Sequence, residues 1–153
     1  MITFHRTVSE NADFQNLVIL LDEDLKIRDG NEHAFYAQFN KTVNIRNVVV
    51  CYVDKKPAGC GAFKEYVEKE AEIKRMFVLP EYRGRGIASA ILRELELWAS
   101  QMNYSACILE TGKNQPEAIC LYKKAGYSFT DNYGQYEKVE NSICMNKVLS
   151  MSS

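Results

Sequence analysis

Hydrophobic and polar positions along the chain alternate between two periods, and each change of period marks an element. From Ile87 the apolar residues Ile87, Ile91, Leu95, Trp98 and Met102 recur at steps of 4, 4, 3 and 4, with Arg93, Glu94, Glu96 and Gln101 elsewhere. That is one stripe of an amphipathic helix facing a core. Nearer the start, Phe14, Leu17, Val18 and Leu21 repeat the helical spacing, and Ser9 is the expected N-cap. A second helical stretch is expected over residues 32–39. Runs rich in β-branched and aromatic residues predict strands over 2–7, 47–53 and 58–66, the last two joined by a hairpin turn at 54–57. A charged turn at 67–70 leads into a further strand over 71–78. The rest of the chain predicts a strand over 106–110 and a helix over 115–125, with Pro116 in its first turn and Gly126 past its end, then strands over 127–131 and 142–148. The order β, α, α, three strands, α, β, α, two strands suits an α/β fold: a mixed, mostly antiparallel central sheet with helices on both faces. No linker, repeat or low-complexity segment interrupts it, so one domain over 1–149 and a short tail over 150–153 are expected.

Composition narrows the function classes. With 46% hydrophobic and 25% charged residues, the 153-residue chain reads as one ordinary globular domain. A net charge of −1, with 19 basic residues matched by 20 acidic ones and no basic block, argues against a nucleic-acid surface. The opening MITFHRTVSE has neither a basic leader nor an apolar core, and no apolar run approaches the roughly 18 residues of a membrane span. A cytoplasmic protein with no membrane partner is the expectation. Cys51, Cys60, Cys107, Cys120 and Cys144 form no CxxC pair, and most fall in predicted strands, so reduced core thiols are expected rather than zinc or disulfides.

The chemistry concentrates in Met76 to Ala99, which reads MFVLPEYRGRGIASAILRELELWA. Pro80 has no amide proton for a sheet ladder, so the strand ends near it. Gly84 and Gly86 permit positive φ and close approach of a ligand to the main chain. The helix that follows at once presents unpaired amides and the positive end of its dipole, which suits a phosphate, and Arg83 and Arg85 add charge there. A dinucleotide fingerprint is excluded because GRGIAS places Ser89 where a third glycine belongs, and no GxxxxGK string occurs. A plain glycine-containing connection beside a solvated arginine pair is the bland alternative.

RGRGIA at Arg83 to Ala88 resembles the [QR]xxGx[GA] motif of the GNAT family of N-acetyltransferases. Upstream, AEIKRMFVLP is similar to that family's fourth strand. Downstream, LETGKNQPEAICLYKKAGY at Leu109 to Tyr127 is similar to its fifth strand and following helix, in the family's order and spacing. The resemblance covers almost the whole chain. It implies splayed fourth and fifth strands with acetyl-coenzyme A as cosubstrate wedged between them. The pantetheine then pairs with the main chain of Met76, Phe77 and Val78, and the pyrophosphate lies on Arg83, Gly84, Arg85, Gly86, Ile87 and Ala88. It also implies a contact from Asn114, for which helix capping is the rival role, and a proton from Tyr122 to the departing thiolate.

Direct acetyl transfer to an amine, through a tetrahedral intermediate, needs a base as well as an acid. A free alkylamine is only about one part in a thousand neutral at pH 7. Only His5 and His33 exist, and neither is near the cradle. Glu72 matches the place of a catalytic glutamate in some family members; strict alternation puts it on one face with Lys74, Met76 and Val78, so a plain salt bridge competes. The resemblance places the acceptor wall in the early helices, with Asp22, Glu23, Asp24, Tyr36, Phe39 and Asn40, and in the late loop with Asn132, Tyr133, Gly134 and Tyr136. Tyr36, Tyr133 and Tyr136 are the expected substrate contacts; a solvated face is the bland alternative for the acidic group. The implied activity is acetylation of a small-molecule primary amine, with no metal; a protein or peptide acceptor and a non-catalytic acyl-CoA-binding module are the alternatives. A homodimer is left open.

Overall fold

A computed structural model describes residues 1–30 and 44–149. The expected helix over 32–39, with Tyr36, Phe39 and Asn40, lies outside the described residues. The elements are β1 (Ile2–Thr7), α1 (Ala12–Asp29), β2 (Asn47–Val53), β3 (Lys56–Val67), β4 (Glu70–Val78), α2 (Ile87–Gln101), β5 (Ala106–Gly112), α3 (Pro116–Lys124), β6 (Ser128–Thr130) and β7 (Ser142–Val148). Short 3₁₀ turns fall at Pro80–Tyr82 and Gly134–Tyr136. The strands form one seven-stranded sheet in the order β1-β2-β3-β4-β5-β7-β6. Every neighbouring pair is antiparallel except β4 with β5.

Two apolar clusters sandwich this sheet. On one face Phe14, Leu17, Val18 and Leu21 of α1 pack on Val48, Val50, Cys60 and Phe77. On the other, Ile87, Ile91, Leu92, Leu95 and Ala99 of α2 meet Val49, Phe63, Ile73 and Val78, joined by Tyr122 of α3. Burial of each large aliphatic chain contributes roughly 1.5–3 kcal/mol, which is what fixes both helices to the sheet. Met102, expected on the buried stripe of α2, is instead its C-terminal cap and 47% exposed, because the helix ends there. Asn11, not Ser9, caps α1: its side chain accepts from the Phe14 amide at 2.9 Å, while the Ser9 hydroxyl is spent on Glu10.

The departure with most consequence is in β4. Cys60 pairs with Phe77, but Ala62 pairs with Lys74, so Arg75 and Met76 together oppose Gly61 in a β-bulge. Arg75 takes φ +60, a left-handed conformation costing a non-glycine residue about 1 kcal/mol or more. It reverses the alternation. Ala71 and Ile73 face α2, as do Met76 and Val78, while Phe77 joins the α1 cluster. Glu72 and Lys74 therefore share the α1 face with each other but not with Met76 and Val78, which corrects the strict alternation read from sequence.

Candidate active site

β4 and β5 pair only through Glu70↔Ala106, Ala71↔Cys107 and Glu72↔Ile108, and then part. Beyond Glu72, β4 remains laddered to β3 as far as Val78, and β5 to β7 as far as Gly112. The divergence opens a cleft of about 510 Å³ whose one long wall is the unladdered main-chain edge of β4. Two local features account for its opening here. The bulge at Arg75 bends the strand, and Pro80 ends it in a 3₁₀ turn.

The outer end of the cleft has the backbone geometry that suits an anion. Gly84 and Gly86 hold φ +80 and +78, conformations that favour glycine, and open space lies where a Cβ would project. Gly86 caps α2 with no side-chain hydrogen bond, so no capping side chain occupies the first-turn amides. Arg83 donates from Nε to the Val78 carbonyl at 2.8 Å and lies over the Phe77 ring at 5.7 Å, which pins its charge at the strand end. Arg85 lies over Tyr82 at 5.5 Å, beside the cleft rather than on its lining. A splayed strand edge leading to a helix start free of any capping side chain fits a ligand with an amide-bearing arm and a pyrophosphate, as acetyl-coenzyme A has.

The inner end collects titratable groups from both faces. Tyr122 enters from α3, 7% exposed, its phenol pushed up by burial and by the charge of Glu110. Glu72 is 3% exposed and accepts a 2.7 Å hydrogen bond from the Tyr133 hydroxyl. Lys74 lies 3.7 Å from the other Glu72 oxygen; burial lowers its pKa and Glu72 opposes that shift. Tyr136, buried in the late loop, is pushed up by burial and then by Glu110 and Glu72. Burial also raises the thiols of Cys107, to about 12, and Cys144, to about 11, so neither is a thiolate at neutral pH.

Of the residues expected from sequence, Glu72, Met76, Phe77, Val78, Arg83, Gly84, Gly86, Ile87, Ala88, Tyr122 and Tyr136 line this single cleft. Tyr133 borders it through Glu72. Asn114 stands outside the lining, its amide reaching the Arg28 carbonyl at 3.4 Å, and the cap of α3 is Gln115. Of the early acidic residues, Asp22 pairs with the enclosed Arg75 guanidinium, and Asp24, which also lines the cleft, pairs with Arg28 at 3.1 Å. Sequence reasoning passed over Glu110, whose only signal is a carboxylate set between apolar residues of a strand, and Arg28 with Glu117. The last two form a 2.8 Å ion pair that links the end of α1 to α3, and both line the cleft. Among the described residues no group of His, Cys, Asp and Glu is placed to hold a metal, and no helix is long and apolar enough to cross a membrane.

Residues 14–127 match the acetyltransferase (GNAT) family. An IAA acetyltransferase of Azospirillum brasilense is 30% identical over 151 residues, covering 94% of this chain and 97% of that protein. In structure, a Klebsiella pneumoniae protein proposed to be an acyl-CoA N-acyltransferase superimposes with a TM-score of 0.82 at 26% identity, covering 98% of this chain and 99% of its own. The PaiA N-acetyltransferase of Thermoplasma acidophilum, solved in complex with coenzyme A, shares the fold at a TM-score of 0.72 and 18% identity, covering 97% and 99% of the two chains.

Proposed function

Since the chain belongs to the GNAT family of acetyltransferases, enzymes that draw on acetyl-coenzyme A, we propose that it acetylates the primary amine of a small molecule by direct attack on the thioester, through a tetrahedral intermediate. One observation carries the reading: a buried carboxylate, Glu72, and a buried phenol, Tyr122, line the same cleft, whose wall is an unladdered strand edge.

Acetyl-coenzyme A supplies an activated acetyl group, and the protein supplies position and proton traffic. The main chain of Met76, Phe77 and Val78 orients the pantetheine arm, and an amide of this edge stabilises developing charge on the carbonyl oxygen. The α2 start, from Gly84 to Ala88, with Arg83 and Arg85 beside it, holds the pyrophosphate. Glu72 accepts the amine proton. Tyr122, held protonated by burial, donates to the leaving thiolate. Tyr136 and Glu110 wall the acceptor end. The cleft volume of about 510 Å³ lies inside the range of roughly 300–1,000 Å³ typical of small-molecule sites, and the donor takes up most of its length.

Calorimetry with acetyl-coenzyme A, paired with thiol release over a panel of small amines and peptides, tests the reading. Submillimolar binding with turnover on small amines is expected. Release on peptides alone would move the acceptor to proteins, and binding without release on any amine would make the chain a non-catalytic module.

A further inference from the structure

The late loop reaches the cleft floor by an unexpected route. Tyr133 was expected to touch the acceptor, yet its hydroxyl is spent on Glu72 at 2.7 Å. Its ring is held in a row of tyrosines, 4.9 Å from Tyr66 of β3 and 5.9 Å from Tyr136. The loop itself is tied down where it begins: the Asn132 amide donates to the Val139 and Ser142 carbonyls, each at 3.1 Å. A hydroxyl delivered by three packed rings and an anchored loop has little freedom to leave.

We infer that Tyr133 is a positioning residue, its phenol fixing the Glu72 carboxylate in place on the floor of the cleft. This deepens the reading in which Glu72 takes the amine proton, and rests on it for its catalytic meaning. With Oε2 engaged by Tyr133, the oxygen beside Lys74, Oε1, is the one left to meet an incoming amine. The phenol donates and the carboxylate accepts. Burial, followed by the Glu72 charge, keeps Tyr133 protonated and able to donate. Other groups set the background against which the bond acts. Lys74 flanks Glu72 on its own strand, Lys64 lies opposite on β3, Glu110 on β5, Tyr136 in the loop and Cys144 on β7. From α1, Asp22 is committed to Arg75, and Asp24 to Arg28.

The test needs no acceptor. Protein labelled with carboxyl-¹³C glutamate is observed by NMR at one fixed pH, with the Glu72 resonance assigned by its loss in Glu72→Gln. Tyr133→Phe keeps the ring and removes the hydroxyl; the Glu72 carboxyl resonance is expected to move and broaden as the carboxylate loses its fixed orientation. Tyr66→Leu loosens the row without touching the hydroxyl, and a smaller change is expected. An unmoved resonance in Tyr133→Phe, or a larger change in Tyr66→Leu than in Tyr133→Phe, overturns the inference. The parent reading fails separately: Glu72→Gln with wild-type turnover and pH profile would remove the base while the resonance in the unsubstituted protein still reports the bond.

Discussion

Removing the Asp22 carboxylate would isolate a guanidinium that the fold has enclosed. The Arg75 side chain is 1% exposed and Asp22 is 50% exposed, so the pair has one sealed end and one wet end. Arg75 Nε has no hydrogen-bond partner among the described residues, which leaves Asp22 as the main compensation for the charge. Breaking a fully buried pair costs about 3–5 kcal/mol. Water reaches the wet end here, so about 2–3 kcal/mol is expected for Asp22→Ala, and about half that for Asp22→Asn, which keeps an acceptor oxygen. For a domain of this size each kcal/mol moves the melting temperature by roughly 2–4 °C, giving a drop of roughly 4–12 °C for Asp22→Ala by calorimetry. Because the penalty lies in the orphaned charge, the double variant Asp22→Ala, Arg75→Met should regain most of the loss. Arg75 is also the bulge residue that turns Met76–Val78 toward the cleft, so acetyl-coenzyme A affinity should fall in parallel in the single variant. A melting change under about 2 °C for Asp22→Ala would refute the reasoning, since the guanidinium would then be compensated elsewhere.

Tyr122→Phe should lower turnover at least tenfold, read by thiol release, with little change in acetyl-coenzyme A affinity; unchanged turnover removes Tyr122 from the mechanism. A Cβ at Gly59 would meet the Phe77 carbonyl at 2.7 Å and Ile91 and Val78 at 3.1 Å, so Gly59→Ala should cost about 1–3 kcal/mol in denaturant unfolding and weaken acetyl-coenzyme A binding by displacing β4. The Glu117 carboxyl is held below its ordinary value, first by the Arg28 hydrogen bond. Its contribution to stability is therefore complete above the unfolded-state value of 4.5 and is lost as pH falls through the lowered folded value. Glu117→Gln should trail wild type by under about 1 kcal/mol at pH 7, the pair being 65% exposed on the Glu117 side, and the two should converge in acid.

What was legible in the sequence was local. The stripe of α2 follows from a 3.6-residue period, and the cradle from Pro80, Gly84 and Gly86, each of which restricts or frees its own backbone. The succession of strands along the chain followed too, because hairpin turns and caps are short-range signals. The bulge at Arg75 was not legible: an extra residue in β4 exists only relative to β3, and no period within β4 marks it. Glu72 was found, with Lys74 rightly beside it, but for that reason Met76 and Val78 were wrongly set on the same face. Tyr133 and Glu72 are 61 residues apart, and Arg28 and Glu117 are 89 apart, so both contacts depend on the sheet being assembled first. Ser9 and Asn11 were equally good caps by chemistry, and the contest was decided by where the helix hydrogen bonds begin.

The parting of β4 from β5 has a mechanical side. Three residue pairs are all that stitch the β1–β4 half of the ladder to the β5–β7–β6 half. Above that seam the two halves stand like covers of a half-open book, with β4 presenting an interior sheet edge that most proteins would have to cover. On the proposed reading, a donor lying along that edge would act as a missing strand, satisfying main-chain groups on one cover while touching the helix borne by the other. Occupancy would therefore bind the two covers into one board, and the empty protein would be the looser of the two states along this seam.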